Sequence, residues 1–310
     1  MGVCKRLTTL LLASLLATAA ARADDPFLEP QPLPPNLQRL EMNSSETGKQ
    51  FVIRLDENHL PLREDFFGEQ AAIPFVIEGA LVESTSGSLL HAWTLAPKEN
   101  GNGVAVLLLH GNGGNILTNL GAGIALMKQG FRVTLVDYSG YGWSTGEATR
   151  DNLLLDAEAA LAIFSAAARA AGEKLVLYGM SLGGHLAVVV GARNPDRVDA
   201  LVIEGAFTSH RDMAAHVRGA LARVAVSEPY SAEKRMAELR VPLLVIHSVD
   251  DEIVPFSMGQ ELFELASEPK ELLEIDGPHL AGIAAHGDTI GEAIVRLVSS
   301  GRTPGYLGSE

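Results

Sequence analysis

Lys174-Leu-Val-Leu-Tyr178-Gly179-Met180-Ser181-Leu182-Gly183-Gly184 is the stretch on which the reading of this chain turns. Leu175 to Tyr178 is apolar on both alternating faces, as a strand buried inside a parallel sheet must be. G-x-S-x-G follows at once, and the residues from Leu182 to Ala192 have helical character. A serine between strand and helix sits on a sharp, strained turn. Any side chain two residues before or after it would strike neighbouring backbone. The turn lifts the hydroxyl above the sheet edge at a helix N-terminus, whose dipole favours developing negative charge. Ser181 is therefore the candidate nucleophile.

Outward from this turn the same alternation repeats. The pattern predicts strands at Phe75–Val82, Leu89–Leu95, Val104–Leu109, Arg132–Val136, Lys174–Tyr178, Ala200–Ile203, Pro242–Ile246 and Glu271–Ile275. Helices are predicted at Leu117–Lys128, Asp151–Ala171, Leu182–Ala192, Arg211–Val224, Ser257–Leu265 and Gly287–Val298, with Gly172 ending the second of these. Strands alternating with helices, several of them apolar on both faces, predict an α/β fold: a mostly parallel eight-stranded sheet with helices on both sides. Only about 30 residues separate the Ala200 and Pro242 strands. The insert at about 209–240 has room for one or two helices and makes a minimal lid.

The chain has 310 residues, 24 of them Lys or Arg against 38 Asp or Glu, for a net charge of −14. That balance, with no basic run, disfavours nucleic-acid binding. Lys5-Arg6, the apolar run Leu7–Ala21 and Ala21-Arg22-Ala23 before Asp24 read as a signal peptide, residues 1–23, cleaved after Ala23. The apolar run is shorter than the roughly 20 residues that span a bilayer. Cleavage removes three basic residues, leaving 21 against 38 and a charge of −17. It also removes Cys4, the only cysteine, which excludes thiol catalysis and disulfide scaffolding in the mature chain. Export to the periplasm or medium is the expectation, with no stable membrane anchor after cleavage. Residues 24–74, proline-rich at the start, read as an extended segment with a short strand near Phe51–Leu55 and no assignable function. Residues 75–300 form the expected catalytic domain, and 301–310 a tail.

A serine hydroxyl is a weak nucleophile and needs a base. With this kind of elbow the chain order is Ser, acid, His. His279, in Asp276-Gly-Pro-His279, follows the Glu271 strand on a turn that exposes the ring at the loop end of the sheet. His286 competes but leads into a helix. His247 reads as a packed, hydrogen-bonded histidine, and His185 as a helix-face residue. The orienting acid should follow the penultimate strand, in His247-Ser-Val-Asp250-Asp251-Glu252-Ile253-Val254-Pro255. Asp251 fits best because Ile253 and Val254 return to the core behind it; Asp250 and Glu204 are the alternatives. Negative charge on a reacting oxygen needs donors: the Leu182 N–H, and the Asn112 N–H from the glycine-dense turn His110-Gly-Asn-Gly-Gly-Asn115. That turn lacks both G-x-G-x-x-G and a following Gly-Lys-Ser, so a nucleotide cradle is disfavoured.

Together with Asp137-Tyr-Ser-Gly-Tyr-Gly-Trp-Ser-Thr-Gly146, these motifs resemble the α/β-hydrolase superfamily. They are most similar to its lid-poor serine hydrolases, the serine aminopeptidase-like and depalmitoylating-hydrolase-like group. The resemblance runs from about Phe75 to Leu297. It implies Ser181 as nucleophile, Asp251 as acid and His279 as base, with Asn112 and Leu182 as oxyanion donors. Ser139 stands where relatives commonly have arginine, and Ser248 where glycine is usual.

The activity expected is hydrolysis of small-molecule carboxylic esters, thioesters included, through an acyl-enzyme, with no metal or organic cofactor required. Esters lead because alkoxides leave more readily than amines. A peptidase or amidase of the same fold, a non-catalytic binding protein that keeps the fold, and a cofactor-free perhydrolase are the alternatives.

Overall fold

The computed structural model describes residues 28–37, 39–43, 50–61, 75–99 and 101–300. The expected signal peptide and C-terminal tail lie outside the described residues. Two short antiparallel strands come first, β1 (Arg39–Asn43) and β2 (Gln50–Arg54). The main sheet follows, built from β3 (Phe75–Glu83), β4 (Leu89–Pro97), β5 (Val104–Leu109), β6 (Arg132–Val136), β7 (Lys174–Met180), β8 (Ala200–Glu204), β9 (Leu243–Ser248) and β10 (Lys270–Ile275). Its order is β10-β9-β8-β7-β5-β6-β4-β3, antiparallel at β3–β4 and β4–β6 and parallel elsewhere. This is the eight-stranded, mostly parallel sheet the alternation predicts. β5, β8 and β9 are buried along their whole length, which their uninterrupted apolar sequences require.

Helices cover both faces. α1 (Ile116–Lys128) and the last helix, α8 (Gly282–Ser300), close one core, with Ile116, Leu120, Ile290 and Ile294 packed against Val106 and Val133. α2 (Arg150–Ala170), α3 (Leu182–Arg193) and α7 (Phe256–Leu265) close the other. The start of α1 is set locally. Asn115 and Thr118 form a capping box, and the Asp137 carboxylate accepts from the Ile116 N–H at 2.7 Å. α2 stops where glycine was expected to stop it, with Gly172 at φ 72°.

The insert departs from expectation in one respect. Arg211–Val224 is not one helix: α4 (His210–Arg218) ends at Gly219, whose φ of 88° a continuing helix cannot adopt. α5 (Ala222–Ala225) and α6 (Ala232–Met236) complete it, so the insert holds three short helices rather than one or two.

β5 is the switch point of the sheet. From it the chain passes to β6 on one side, then crosses to β7 on the other. In open parallel sheets the crevice beyond the carboxyl ends of such strands is where ligands bind. The His110–Asn115 turn and Ser181 both emerge there.

Candidate functional site

Ser181 adopts φ 52° and ψ −113°, a conformation that costs a non-glycine residue roughly 1–3 kcal/mol. The surroundings enforce it. The Ser181 N–H donates to the Glu204 carbonyl of β8 at 2.8 Å, and its own carbonyl accepts from the His185 N–H at 3.0 Å. A Cβ on Gly179 would lie 2.2 Å from the Gly183 carbonyl oxygen, and one on Gly183 would lie 2.0 Å from that of Leu109. The steric demand read from G-x-S-x-G is thus met by specific backbone atoms. Leu182 opens α3, so its N–H is among those that have no acceptor inside the helix.

The loops after β9 and β10 bring the next two residues together. His279 Nδ1 lies 2.7 Å from Asp251 Oδ2, and the carboxylate is buried. Asp251 Oδ1 accepts from the N–H groups of Ile253 and Val254 at 2.9 and 2.8 Å. Burial alone would push this carboxyl up. Hydrogen bonds from His247 and His279, the charge of His279 and the Val254 amide outweigh burial and hold it well below the usual carboxylate range. With Nδ1 donating to Asp251, His279 keeps its Nε2 lone pair for another proton. The ring reaches the elbow end of the sheet: a Cβ on Gly205, the residue after Glu204, would lie 2.9 Å from His279 Cε1.

The competing residues are placed elsewhere. Asp250 is exposed, its N–H donating to Ser248 Oγ at 3.1 Å. His286 sits within α8 at a non-helical φ of −127°, 3.1 Å from the Asp276 carboxylate. His247 is buried, its Nε2 2.9 Å from the Val254 carbonyl and 3.4 Å from Asp251 Oδ2, so it braces the acid from behind. Ser248, one of the two departures from the family pattern, has a use: its hydroxyl donates to the Gly277 carbonyl and ties the His279 loop to β9. Ser139, the other, donates its N–H to Asp156 and its hydroxyl to Ser88, inside the scaffold rather than at the site.

Glu204 turns out to be a clamp. Its buried carboxylate accepts from Tyr178 OH at 2.6 Å and from the Gly282 N–H, three residues past His279, at 2.9 Å. Its backbone carbonyl holds Ser181. One residue thus spans the elbow and the start of α8, and burial raises its pKa even against those donors. A lone carboxylate closing an apolar strand was the sequence signal. Its partners lie 26 and 78 residues away.

Asn112 lies in the turn after β5, which is pressed onto the elbow; a Cβ on Gly111 would lie 3.4 Å from Ser181 Cβ. Tyr138 OH donates to the His110 carbonyl at 3.0 Å, fastening this turn from below. Asn112 Oδ1 accepts from Tyr141 OH at 3.1 Å and from the Glu29 N–H at 2.9 Å. The second of these contacts was illegible in the sequence. The described part of the proline-rich segment, from Leu28 to Leu37, is docked. Gly142 N–H donates to the Gln31 carbonyl, Leu33 N–H to the Gly142 carbonyl, and Trp143 Nε1 to the Pro34 carbonyl. A strap from Glu29 to Pro34 therefore joins the turn that carries Asn112 to the Gly142–Trp143 loop.

Residues 104–234 match the family model described as the alpha/beta hydrolase fold. The Mycobacterium tuberculosis protein Rv2307c is 32% identical over 198 residues, covering 64% of this chain and 70% of its own. The Escherichia coli K12 protein YfhR is 29% identical over 239 residues, covering 74% and 84%. Among solved structures, the Pyrococcus furiosus esterase Pf2001 superposes with a TM-score of 0.62 at 18% identity, over 76% of this chain and 96% of that one. The esterase domain of a Rhodothermus marinus protein superposes at 0.55 with 24% identity, over 72% and 99%. The chain belongs to the α/β-hydrolase fold family.

Proposed function

We propose that this protein is a serine hydrolase that cleaves carboxylic esters of small, accessible acyl groups through an acyl-enzyme. The observation that carries the reading is the pairing of a strained serine at the end of β7 with a His279–Asp251 hydrogen bond of 2.7 Å at the same end of the sheet. His279 Nε2 takes the Ser181 proton as Oγ attacks the acyl carbon. Asp251 fixes the ring tautomer and stabilises the imidazolium. The Leu182 and Asn112 N–H groups receive the oxyanion. His279 then protonates the leaving alkoxide, and water repeats the sequence on the acyl-enzyme to release the acid. An esterase is a fitting reading because alkoxides leave without the strong protonation an amine needs. The three short helices of the insert add little apolar cover, and that favours short acyl chains. Esterases among the structural neighbours agree with this reading.

We also propose that residues 1–23 direct export and are removed. Among the described residues, no helix is long and apolar enough to cross a membrane.

The test is hydrolysis of p-nitrophenyl acetate, butyrate and octanoate by wild type and Ser181→Ala. The expected outcome is a fall of about three orders of magnitude or more in kcat for the variant, with the shorter chains preferred. Equal rates in the two proteins would sink serine catalysis. A wild type indistinguishable from buffer on all three would sink the ester reading.

A further inference from the structure

On the far side of the elbow helix from the sheet, α3 meets the insert through a group of polar side chains that ester hydrolysis does not use. His185 lies one turn into α3, His210 begins α4, and Glu228 precedes α6. One ligand-capable atom from each lies within 4.8 Å of the other two. The His185 ring is fully buried, and the side chains of His210 and Glu228 are almost so. From this geometry we infer a binding site for a divalent transition-metal ion of the zinc class, with His185, His210 and Glu228 as its protein ligands.

The donor arrangement favours an ion over a simple packed network. His185 Nδ1 lies 3.1 Å from the Phe207 carbonyl, which can only accept, so Nδ1 carries the proton and Nε2 presents its lone pair. That Nε2 is buried and makes no hydrogen bond of ordinary geometry, the Tyr230 backbone being the ring's second polar neighbour. A carbonyl holding the opposite ring nitrogen is also how metal-bound histidines are oriented. A buried imidazole lone pair without a donor is costly to leave unmade.

His210 Nδ1 and Glu228 Oε1 stand 3.1 Å apart. Two ligand atoms each about 2.0–2.1 Å from a tetrahedral zinc stand about 3.4 Å apart. An ion can therefore take the place of the proton between them, releasing it to solvent, while His185 moves inward by at most about 1.6 Å. The Glu228 carboxylate already accepts from the Arg211 N–H at 2.9 Å, which orients it, and no Lys or Arg is ion-paired with it among the described residues. Two imidazoles and one carboxylate select zinc-class ions over magnesium or calcium, which prefer all-oxygen sites. The consequence is mechanical. Since the His185 N–H donates to the Ser181 carbonyl at 3.0 Å, an ion here would fasten the insert to the turn that carries the serine.

The experiment uses the full-length protein without a polyhistidine tag, stripped with a chelator. Zn2+ is titrated calorimetrically, and Co2+ is added as the spectroscopic probe. The expected result is one ion per chain, visible Co2+ d–d bands of nitrogen and oxygen ligation, and a rise in Tm at saturating Zn2+. His185→Gln and His210→Gln should each weaken binding by about tenfold or more and abolish the Tm rise, whereas His279→Ala should leave affinity unchanged. If a histidine variant fails to fold by near-UV circular dichroism, Glu228→Gln, which keeps an acceptor for Arg211, supplies the same comparison. No uptake at roughly a hundredfold excess of Zn2+ over protein would overturn the proposal. So would uptake that these variants leave unchanged.

Discussion

The elbow and the insert lie against each other in space, yet they are built on opposite principles. At the elbow, backbone meets backbone: Gly179, Gly183 and Leu109 leave no volume for a Cβ, and Ser181 is held in a conformation it would not choose. The insert is tied at its base by side chains. Ser209 caps α4, Arg211 Nε donates to the Val226 carbonyl, and Tyr230 OH donates to the Arg150 carbonyl. Its tip leaves Val217 61%, Leu221 86% and Val224 83% exposed. The difference separates two tasks. In the proposed reading, the elbow holds the nucleophile through backbone contacts that leave no room for a side chain, whereas the insert is held by side chains and leaves its tip exposed.

The strongest way to break that contrast is Gly183→Ala. The added methyl would sit 2.0 Å from a carbonyl oxygen that belongs to β5 and cannot move away. A loss of more than about 4 kcal/mol is expected, read from denaturant midpoints, with activity abolished. An active, stable variant would show that the elbow is softer than its geometry.

Asp251→Asn ranks next. It preserves volume but offers His279 an amide, and kcat should fall by about four orders of magnitude through loss of the correct tautomer. It also carries a pH signature. Because the folded carboxyl sits below the unfolded value of about 3.9, Asp251 stabilises the fold fully above that pH. That contribution is lost as pH falls toward the folded value. Acid unfolding followed by circular dichroism should therefore show a shallower decline below about pH 4 in Asp251→Asn than in wild type.

Ser181→Gly sharpens the comparison from the other side. Relief of the positive φ should stabilise the protein by about 1–3 kcal/mol while hydrolysis disappears, so the midpoint rises as activity is lost. At the small end, Leu221→Ser and Val224→Ser should change stability by no more than about 0.5 kcal/mol and leave acetate hydrolysis as it was. A large loss in either would mean that the tip of the insert is packed in the working protein.

The same contrast governs how much of the fold and the site is legible in the sequence. The parallel sheet was legible because Val104–Leu109, Ala200–Ile203 and Leu243–Ile246 are apolar on both faces, and only a sheet covered on both sides buries such strands. The elbow was legible because G-x-S-x-G marks a turn with no room for side chains at its glycines, one of them facing Gly183 within the motif and the other facing Leu109 far away in sequence. Arg211–Val224, read as one helix from its pattern, breaks at Gly219, where a single residue at φ 88° outweighs that pattern. Glu204 was weighed as an alternative acid, since nothing local to it tells of Tyr178 and Gly282.

The chain's own order of residues thus determined the sheet, the elbow and the types of group gathered at its open end, because periodicity and close backbone contact act over a few residues. Three matters were left to tertiary structure. These are the pairing of Asp251 with His279, the docking of Glu29–Pro34 on the Asn112 and Gly142 turns, and the gathering of His185, His210 and Glu228. Each depends on hydrogen bonds between residues far apart in sequence, whose partners become neighbours only once the strands have paired and the helices have closed over them.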